Sequence, residues 1–232
     1  MGLSEIVAVA RGDEIPDLLL ANARIVNVFN GDIEYANVAV HEGRIAGVGD
    51  YRKGRTIIDL KGDYLAPGLI DGHAHIESSM LHPLRYCEAV VPRGTTTVMT
   101  DLHEIANVCG VAGIKFFDHW ANEMPLDIFV MLPSCVPATS LETSGVEINA
   151  DQIARLRRMR RIIGLGEMMN YPGVIRGDEG VLAKIKAIGS RVIDGHAPSV
   201  TGKELNAYIA AGIRSDHECI RLVEASEKLR RG

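Results

Sequence analysis

The sequence predicts an α/β fold: an incomplete (β/α)8 barrel of about six strands, preceded by a small β-rich segment. From residue 64 onward, strand-like apolar runs alternate with amphipathic helical stretches, and repeated β-α units imply a parallel sheet. Histidines and carboxylates also follow the strand-like runs one after another. Barrel enzymes place their chemistry at the carboxyl ends of their strands, so the polar residues favour a barrel.

The composition is that of a globular protein, with 232 residues, 47% of them hydrophobic and 24% charged. The formal net charge of −5 and the lack of a basic run argue against a nucleic-acid partner. No apolar stretch reaches the ~18 residues of a membrane span, and no basic region leads into an apolar signal core. Because the four cysteines form no Cys-x-x-Cys pair, we expect reduced thiols in a cytoplasmic protein.

Residues 1–63 predict a separate β-rich segment. Short β-rich runs between residues 18 and 50 are divided by the turn signals Asn30-Gly31 and Glu42-Gly43, which favours a small antiparallel unit. Residues 56–60 add one more strand.

Residues 64–232 predict the barrel. Its first strand begins at Leu65 and ends near His73, and five further strands follow, at residues 95–101, 126–132, 161–166, 191–194 and 212–215. Helices are expected between them, including residues 151–159 with Asp151 as the N-cap, residues 180–188, and residues 202–211 with Thr201 as a cap.

His73 and His75 end the first strand. Residues two apart on a strand point to the same side, so both imidazoles face one centre, as two ligands of a metal ion do. The alternative is a pair of polar residues that only form hydrogen bonds at a strand end.

Later strands end in further candidates. His103 and Glu104 follow the second strand, Glu167 ends the fourth, and His196 and His217 follow the fifth and sixth. Each has a plainer alternative: a polar loop for His103 and Glu104, a surface carboxylate for Glu167, and structural histidines for the other two.

The stretch 65–80 resembles the amidohydrolase superfamily, whose signature is an apolar strand with Pro-Gly followed by Asp-x-His-x-His. Within the superfamily, the continuation Glu77-Ser78-Ser79 and the runs 194–198 and 206–219 look like the adenine deaminases. This resemblance implies that residues 1–63 form half of a composite β-sandwich, and that residues 64–232 form a metal-dependent hydrolase barrel without its strands seven and eight.

The resemblance also implies a site. A divalent metal pair, manganese or iron, with zinc allowed by ligand chemistry, would bind to one set of side chains: His73, His75, Glu167, His196 and His217. Many superfamily members carry a carboxylated lysine where this sequence has Glu167. Glu167 and His217 are the expected catalytic residues, and Glu77, His103 and Glu104 the expected substrate-binding ones.

The implied reaction is the hydrolytic deamination of adenine, a small-molecule purine, to hypoxanthine and ammonia by metal-activated hydroxide. A second hypothesis is a cyclic amidohydrolase of the hydantoinase or dihydropyrimidinase type, although those enzymes usually carry lysine at the position of Glu167. A third is a non-catalytic fragment that binds metal or nucleobase. The His-x-Glu and Pro-Cys-x-x-Cys motifs of the zinc deaminases that edit nucleic acids are absent.

The resemblance places a further ligand, an aspartate after strand eight, beyond Gly232. We therefore expect a fragment, half of a two-chain enzyme, or a truncated gene product, with homo-oligomerisation or a companion chain completing the barrel. Without that aspartate to carry the proton, we expect the chain alone not to turn over adenine.

Overall fold

The computed structural model describes residues 2–139 and 141–232 and divides into two compact units, Met1–Pro67 and Gly68–Gly232. Among the described residues, no helix has the length and apolar character needed to cross a membrane.

The first unit contains one helix, α1 (Leu3–Arg11), and a five-stranded sheet. Its strands are β1 (Leu18–Val26), β2 (Ile33–His41), β3 (Arg44–Gly49), β4 (Thr56–Asp59) and β5 (Tyr64–Leu65). β1, β2 and β3 pair antiparallel, and Glu42 and Gly43 form the β2–β3 turn, both with positive φ as a tight hairpin requires.

The last two strands correct the expectation of a wholly antiparallel unit. β4 and β5 both pair with β1 in the parallel direction. β2 already occupies one edge of β1, so the chain after β3 is left with the opposite edge. The composite sandwich implied by the resemblance stays a prediction.

The second unit is built on a parallel five-stranded sheet that curls into half of a barrel. Its strands are β6 (Leu69–Ala74), β7 (Thr95–Asp101), β8 (Asp127–Leu132), β9 (Ile162–Met168) and β10 (Val192–Gly195). They lie side by side in chain order, which confirms the α/β, barrel-type fold class. Helical segments connect them: α2 (Pro83–Val90), α3 (His103–Cys109), α4 (Val111–Trp120), α5 (Ala150–Leu156), α6 (Tyr171–Arg176), α7 (Glu179–Ile188) and α8 (Gly202–Ala210), with α9 (Leu222–Arg231) after the last.

The predicted sixth strand does not form: residues 212–215 carry no strand in the described chain. One backbone hydrogen bond joins them to β10, from the Arg214 N–H to the Ile193 carbonyl at 3.1 Å. Side chains make the next contacts instead, because the Ser215 hydroxyl donates to Asp194 and the Asp216 carboxylate accepts the Ala197 N–H. A ladder needs consecutive backbone bonds, and this segment makes only the first of them in the described chain.

The N-cap of α5 also differs from the prediction. Asn149, not Asp151, precedes the helix, and its side-chain oxygen accepts the Gln152 N–H at 3.0 Å. The Gln152 side chain accepts the Asn149 N–H at 2.9 Å, completing a capping box. Asp151 lies inside the first turn, where its charge favours the helix dipole without capping.

A core of buried apolar side chains holds the sheet against its helices. Val98, Ile128, Val130 and Leu165 are fully buried on β7, β8 and β9. These β-branched and aliphatic side chains suit buried parallel strands. This packing determines the positions of the strands, and therefore also the positions of the polar residues at their carboxyl ends.

Candidate metal centre

Five predicted ligands come together at the carboxyl end of the half-barrel. His73 lies on β6 and His75 directly after it, and Glu167 lies on β9. His196 follows β10, and His217 lies in the segment after α8. They fall into two groups of three that share Glu167, and within each group the potential ligand atoms all lie within 4.8 Å of one another.

The Glu167 carboxylate divides the histidines into two pairs. Its Oε1 lies 3.1 Å from His73 Nε2 and 2.7 Å from His75 Nε2. Its Oε2 lies 2.7 Å from His196 Nδ1 and 3.5 Å from His217 Nε2. One buried carboxylate therefore joins an Oε1 side, with His73 and His75, to an Oε2 side, with His196 and His217.

Local structure explains the pair on the Oε1 side. His73 lies on β6 and His75 directly after it, so the alternation of a strand turns both rings the same way. The two ring centroids are 4.9 Å apart. Glu167 is inside β9 and 3% exposed, which places its carboxylate in a solvent-poor position between the pairs.

Hydrogen bonds from neighbouring residues orient both rings of this pair. The Asp194 carboxylate lies 3.0 Å from His73 Nδ1, and the Asp101 carbonyl lies 3.1 Å from His75 Nδ1. A proton held on each Nδ1 leaves Nε2 free to face Glu167.

The electrostatics of the centre favour positive charge. Hydrogen bonding to Asp194, and then to Glu167, raises the pKa of His73 to about 10, and bonding to Glu167 raises the pKa of His75 to about 9. Burial opposes ionisation of Glu167, but the hydrogen bonds from His73 and His75 outweigh it and hold the Glu167 pKa below its usual range. The negative charge of the Glu167 and Asp194 carboxylates is balanced either by protons on the histidines or by a bound metal cation.

Asp101 is a site residue to which the sequence analysis gave no role. It is 1% exposed, and its Oδ2 accepts the backbone N–H of Glu167 at 2.7 Å. Its Oδ1 lies 3.6 Å from His103 Nδ1, and neither atom has a hydrogen-bond partner among the described residues. The available signal was its position as the last residue of a predicted strand. Asp194 ends a predicted strand in the same way and was also given no role.

The predicted substrate-binding residues lie beside the Oε1 side. The His103 ring centroid is 4.7 Å from that of His75. Both Glu77 oxygens are buried, with no hydrogen-bond partner in the part of the chain that the structure describes, and burial raises the pKa of Glu77 to about 7. Glu104 is exposed and accepts a hydrogen bond from Ser78 Oγ at 2.6 Å.

The donor set fits a divalent metal. Imidazole nitrogens and carboxylate oxygens are ligands of zinc, manganese and iron. Asp101 Oδ1 and His103 Nδ1 are also buried without a hydrogen-bond partner among the described residues, as polar atoms beside a binding site for an ion or ligand are.

Residues 64–230 match the amidohydrolase family. The chain is 60% identical over 230 residues to an adenine deaminase of Dehalococcoides mccartyi, a match that covers 99% of this chain and 40% of that protein. It is 53% identical over 235 residues to an adenine deaminase of Kosmotoga olearia, covering 100% of this chain and 41% of that protein. The chain therefore spans about 40% of the length of these relatives.

Solved structures share the fold at low sequence identity. An N-acyl-D-glutamate deacylase from Bordetella bronchiseptica, complexed with zinc, aligns with a TM-score of 0.62 at 16% identity, covering 94% of this chain and 55% of that one. A zinc-complexed atrazine chlorohydrolase from Arthrobacter aurescens aligns with a TM-score of 0.52 at 15% identity, covering 86% of this chain and 65% of that one.

Proposed function

This chain belongs to the amidohydrolase family, and we propose that it forms the metal-binding part of an adenine deaminase, which hydrolyses adenine to hypoxanthine and ammonia. One observation carries the proposal: the Glu167 carboxylate offers one oxygen to His73 and His75 and the other to His196 and His217. The adenine deaminases similar along the whole chain support the choice of substrate.

Two metal subsites follow from this arrangement. His73 and His75 would hold one ion with Oε1 of Glu167, and His196 and His217 would hold the second with Oε2. A divalent pair bound there would lower the pKa of water so that hydroxide is available near neutral pH.

The protein's own residues prepare the site. Asp194 and the Asp101 carbonyl hold His73 and His75 with Nε2 directed inward, and the Asp101 carboxylate fixes the backbone of Glu167. We assign Glu167 and His217 to catalysis as well as to binding. Glu167 joins the two subsites. The His217 ring, from the Oε2 side, stacks on the His73 ring, from the Oε1 side, with the ring centroids 3.9 Å apart.

The purine would bind beside the Oε1 side. Glu77 and His103 carry buried polar atoms without partners, and adenine offers ring nitrogens and an amino group that can complete them. Glu104, which Ser78 holds at the rim, would contact the substrate from the open side. A protein with these groups recognises a small polar heterocycle, with no role for nucleic acid.

The remaining details are part of the same proposal. The resemblance favours manganese or iron, and the ligand chemistry also admits zinc. We place the enzyme in the cytoplasm, in keeping with its scattered cysteines, and in purine salvage.

The test is metal content together with product formation. The metal-free protein is titrated with Mn²⁺, and we expect two equivalents to bind. The double variant His73→Ala/His75→Ala should lose the Oε1-side ion. Glu167→Gln should bind metal more weakly and, in any preparation that forms hypoxanthine, should lose most of that activity. Full metal content in the double variant would contradict the proposal.

Chromatographic analysis of the products identifies the substrate. Adenine is compared with hydantoin and dihydrouracil under the same metal loading. Hypoxanthine and ammonia formed from adenine support the deaminase, whereas ring opening of hydantoin or dihydrouracil to the N-carbamoyl acid, without ammonia, would favour the cyclic amidohydrolases. Two bound metals, with no turnover of any of these substrates even by a full-length protein, would support the third hypothesis, a non-catalytic metal-binding role.

A further inference from the structure

A buried cluster of charged side chains lies beneath the two histidines of the Oε2 side. It consists of Lys228 and Glu224 of α9 together with Asp216, which we call the α9 charge cluster. The side chains of Lys228, Glu224 and Asp216 are 10%, 3% and 8% exposed. None of the three side chains contacts Glu167, so the proposed chemistry gives the cluster no role.

Lys228 uses all three donors of its ammonium group within this cluster. Its Nζ donates to the Ala197 carbonyl at 2.7 Å, to Glu224 Oε1 at 2.7 Å, and to Asp216 Oδ2. An ammonium group has three donors and no acceptor, so its hydrogen-bonding capacity is filled. Ala197 follows His196 directly, and Asp216 precedes His217 directly.

Both carboxylates also join the two histidine-bearing segments. Asp216 Oδ1 accepts the Ala197 N–H and the Glu218 N–H, each at 3.1 Å. Glu224 accepts the Ser199 N–H at 2.8 Å and the Ile220 N–H at 3.3 Å. Each carboxylate thus holds one backbone N–H from the segment after β10 and one from the segment after residue 215.

These contacts determine how the two segments are placed relative to each other. Neither segment belongs to a helix or strand, so no regular backbone ladder holds His196 and His217 at a common distance from Glu167 Oε2. Buried charged groups with satisfied hydrogen bonds form a stiff connection, and removal of the Lys228 cation leaves two buried carboxylates without a countercharge.

We propose that Lys228 is a positioning residue for the Oε2-side metal subsite, acting through Asp216 and Glu224 on the loops that carry His196 and His217. The inference rests on the proposed function, because it presupposes two metal subsites that share Glu167. Asp216 and Glu224, together with Cys219, could form a small metal-binding group of their own. Here the Lys228 ammonium group already lies between the two carboxylates and supplies the positive charge.

The test is a Mn²⁺ titration of the metal-free 232-residue chain and its Lys228→Met variant. Loss of an outer partner of metal ligands typically lowers metal affinity about 10–100-fold. We expect one Mn²⁺ equivalent to keep its affinity and the other to weaken by about that factor. Lys228→Arg, which keeps the charge, should recover part of the loss.

Background variants assign the weakened subsite. In a His73→Ala background, Lys228→Met should remove the remaining tight Mn²⁺ binding. In a His196→Ala background it should change nothing, and any change there would overturn the assignment to the Oε2 side.

Arg157→Met is the matched control, since Arg157 also donates from a partly buried position to a backbone carbonyl, that of Ala187, at 3.0 Å. It should keep both Mn²⁺ affinities, and an equal loss in both variants would show a merely structural effect and overturn the inference. If circular dichroism shows that Lys228→Met does not fold, Glu224→Gln replaces it and should weaken the same subsite by a smaller factor.

The two proposals fail differently. A wild-type chain that binds no Mn²⁺ overturns the metal centre and this inference together. A wild-type chain with two Mn²⁺ ions and a folded Lys228→Met variant with unchanged affinities overturn this inference alone.

Discussion

The Asp101 carboxylate accepts the backbone N–H of Glu167 at 2.7 Å, although β8 lies between the strands that carry the two residues. Gly166 permits this approach, because a Cβ atom at that position would lie 2.0 Å from Asp101 Oδ2. The curl of the half-barrel brings these non-adjacent strands together at their carboxyl ends. The shared carboxylate of the candidate centre is therefore held by a residue two strands away.

This contact predicts that Gly166→Ala damages both the fold and the site. The added methyl group meets the buried Asp101 carboxylate, and overpacking in a core typically costs about 1–3 kcal/mol. We expect that loss in the free energy of unfolding from urea denaturation, with weaker Mn²⁺ binding in the same samples.

Gly72→Ala is the control for that variant. Gly72 also directly precedes a candidate ligand, His73, but a Cβ atom there has no heavy atom within 4 Å. It should keep both stability and Mn²⁺ affinity. Similar losses in the two variants would show that Asp101 is not the cause.

A second prediction concerns Asp194, whose carboxylate lies 3.0 Å from His73 Nδ1. Asp194→Asn keeps the shape but removes the charge that fixes the ring, and such changes lower metal affinity by about 10–100-fold. Calorimetric titration with Mn²⁺ measures the change. Asp178→Asn replaces the N-cap of α7 with an equally good capping residue and should bind Mn²⁺ normally. An unaltered Mn²⁺ affinity in Asp194→Asn would show that Asp194 does not orient His73 for metal binding.

The α9 charge cluster predicts an acid-sensitive contribution to stability. Burial opposes ionisation of Glu224, but hydrogen bonds from Lys228 and from the Ser199 and Ile220 N–H groups hold its pKa below the usual 4.5. Lys228 Nζ donates to Glu224 Oε1 at 2.7 Å, while Asp216 and the Cys219 thiol lie nearby. Because the folded pKa is the lower one, the contribution is complete above pH 4.5 and is lost as the pH falls through the folded value.

The measurement is the free energy of unfolding as a function of pH for the wild type and Glu224→Gln. The wild type should lose more stability than the variant on acidification below pH 4.5, because the glutamine cannot titrate. Parallel pH profiles would contradict the assigned role of Glu224.

The capping box of α5 gives a prediction independent of the site. Asn149→Ala removes the oxygen that accepts the Gln152 N–H, and loss of an N-cap typically costs about 1 kcal/mol. Asp151→Ala removes only a first-turn charge and should cost less, roughly 0.3–1 kcal/mol at low salt. Thermal unfolding of both variants decides between Asn149, which the structure identifies as the cap, and Asp151, which the sequence pattern favoured.

Local patterns were sufficient to predict much of the fold. The alternation of apolar strands and amphipathic helices after residue 64 predicted β7, whose bounds are residues 95–101, and placed β8, β9 and β10 within one or two residues. Residues 212–215, Gly-Ile-Arg-Ser, misled the same reasoning, because a short segment after a helix takes the place of a strand in the β-α alternation whether or not its backbone groups find partners.

By itself, the sequence placed polar residues at the ends of the predicted strands, and the resemblance to the amidohydrolases selected five of them as metal ligands. A strand has a period of two and parallel strands share a carboxyl end, so His73, His75 and Glu167 were expected at the same end of the sheet without long-range information. Only the tertiary structure decided how they are held. The bond from Asp194 to His73 spans 121 residues and the one from Asp101 to Glu167 spans 66, while α9 supplies the lysine between His196 and His217. Such contacts depend on the curl of the sheet and on where loops without regular structure come to rest, and no periodicity in the chain encodes either.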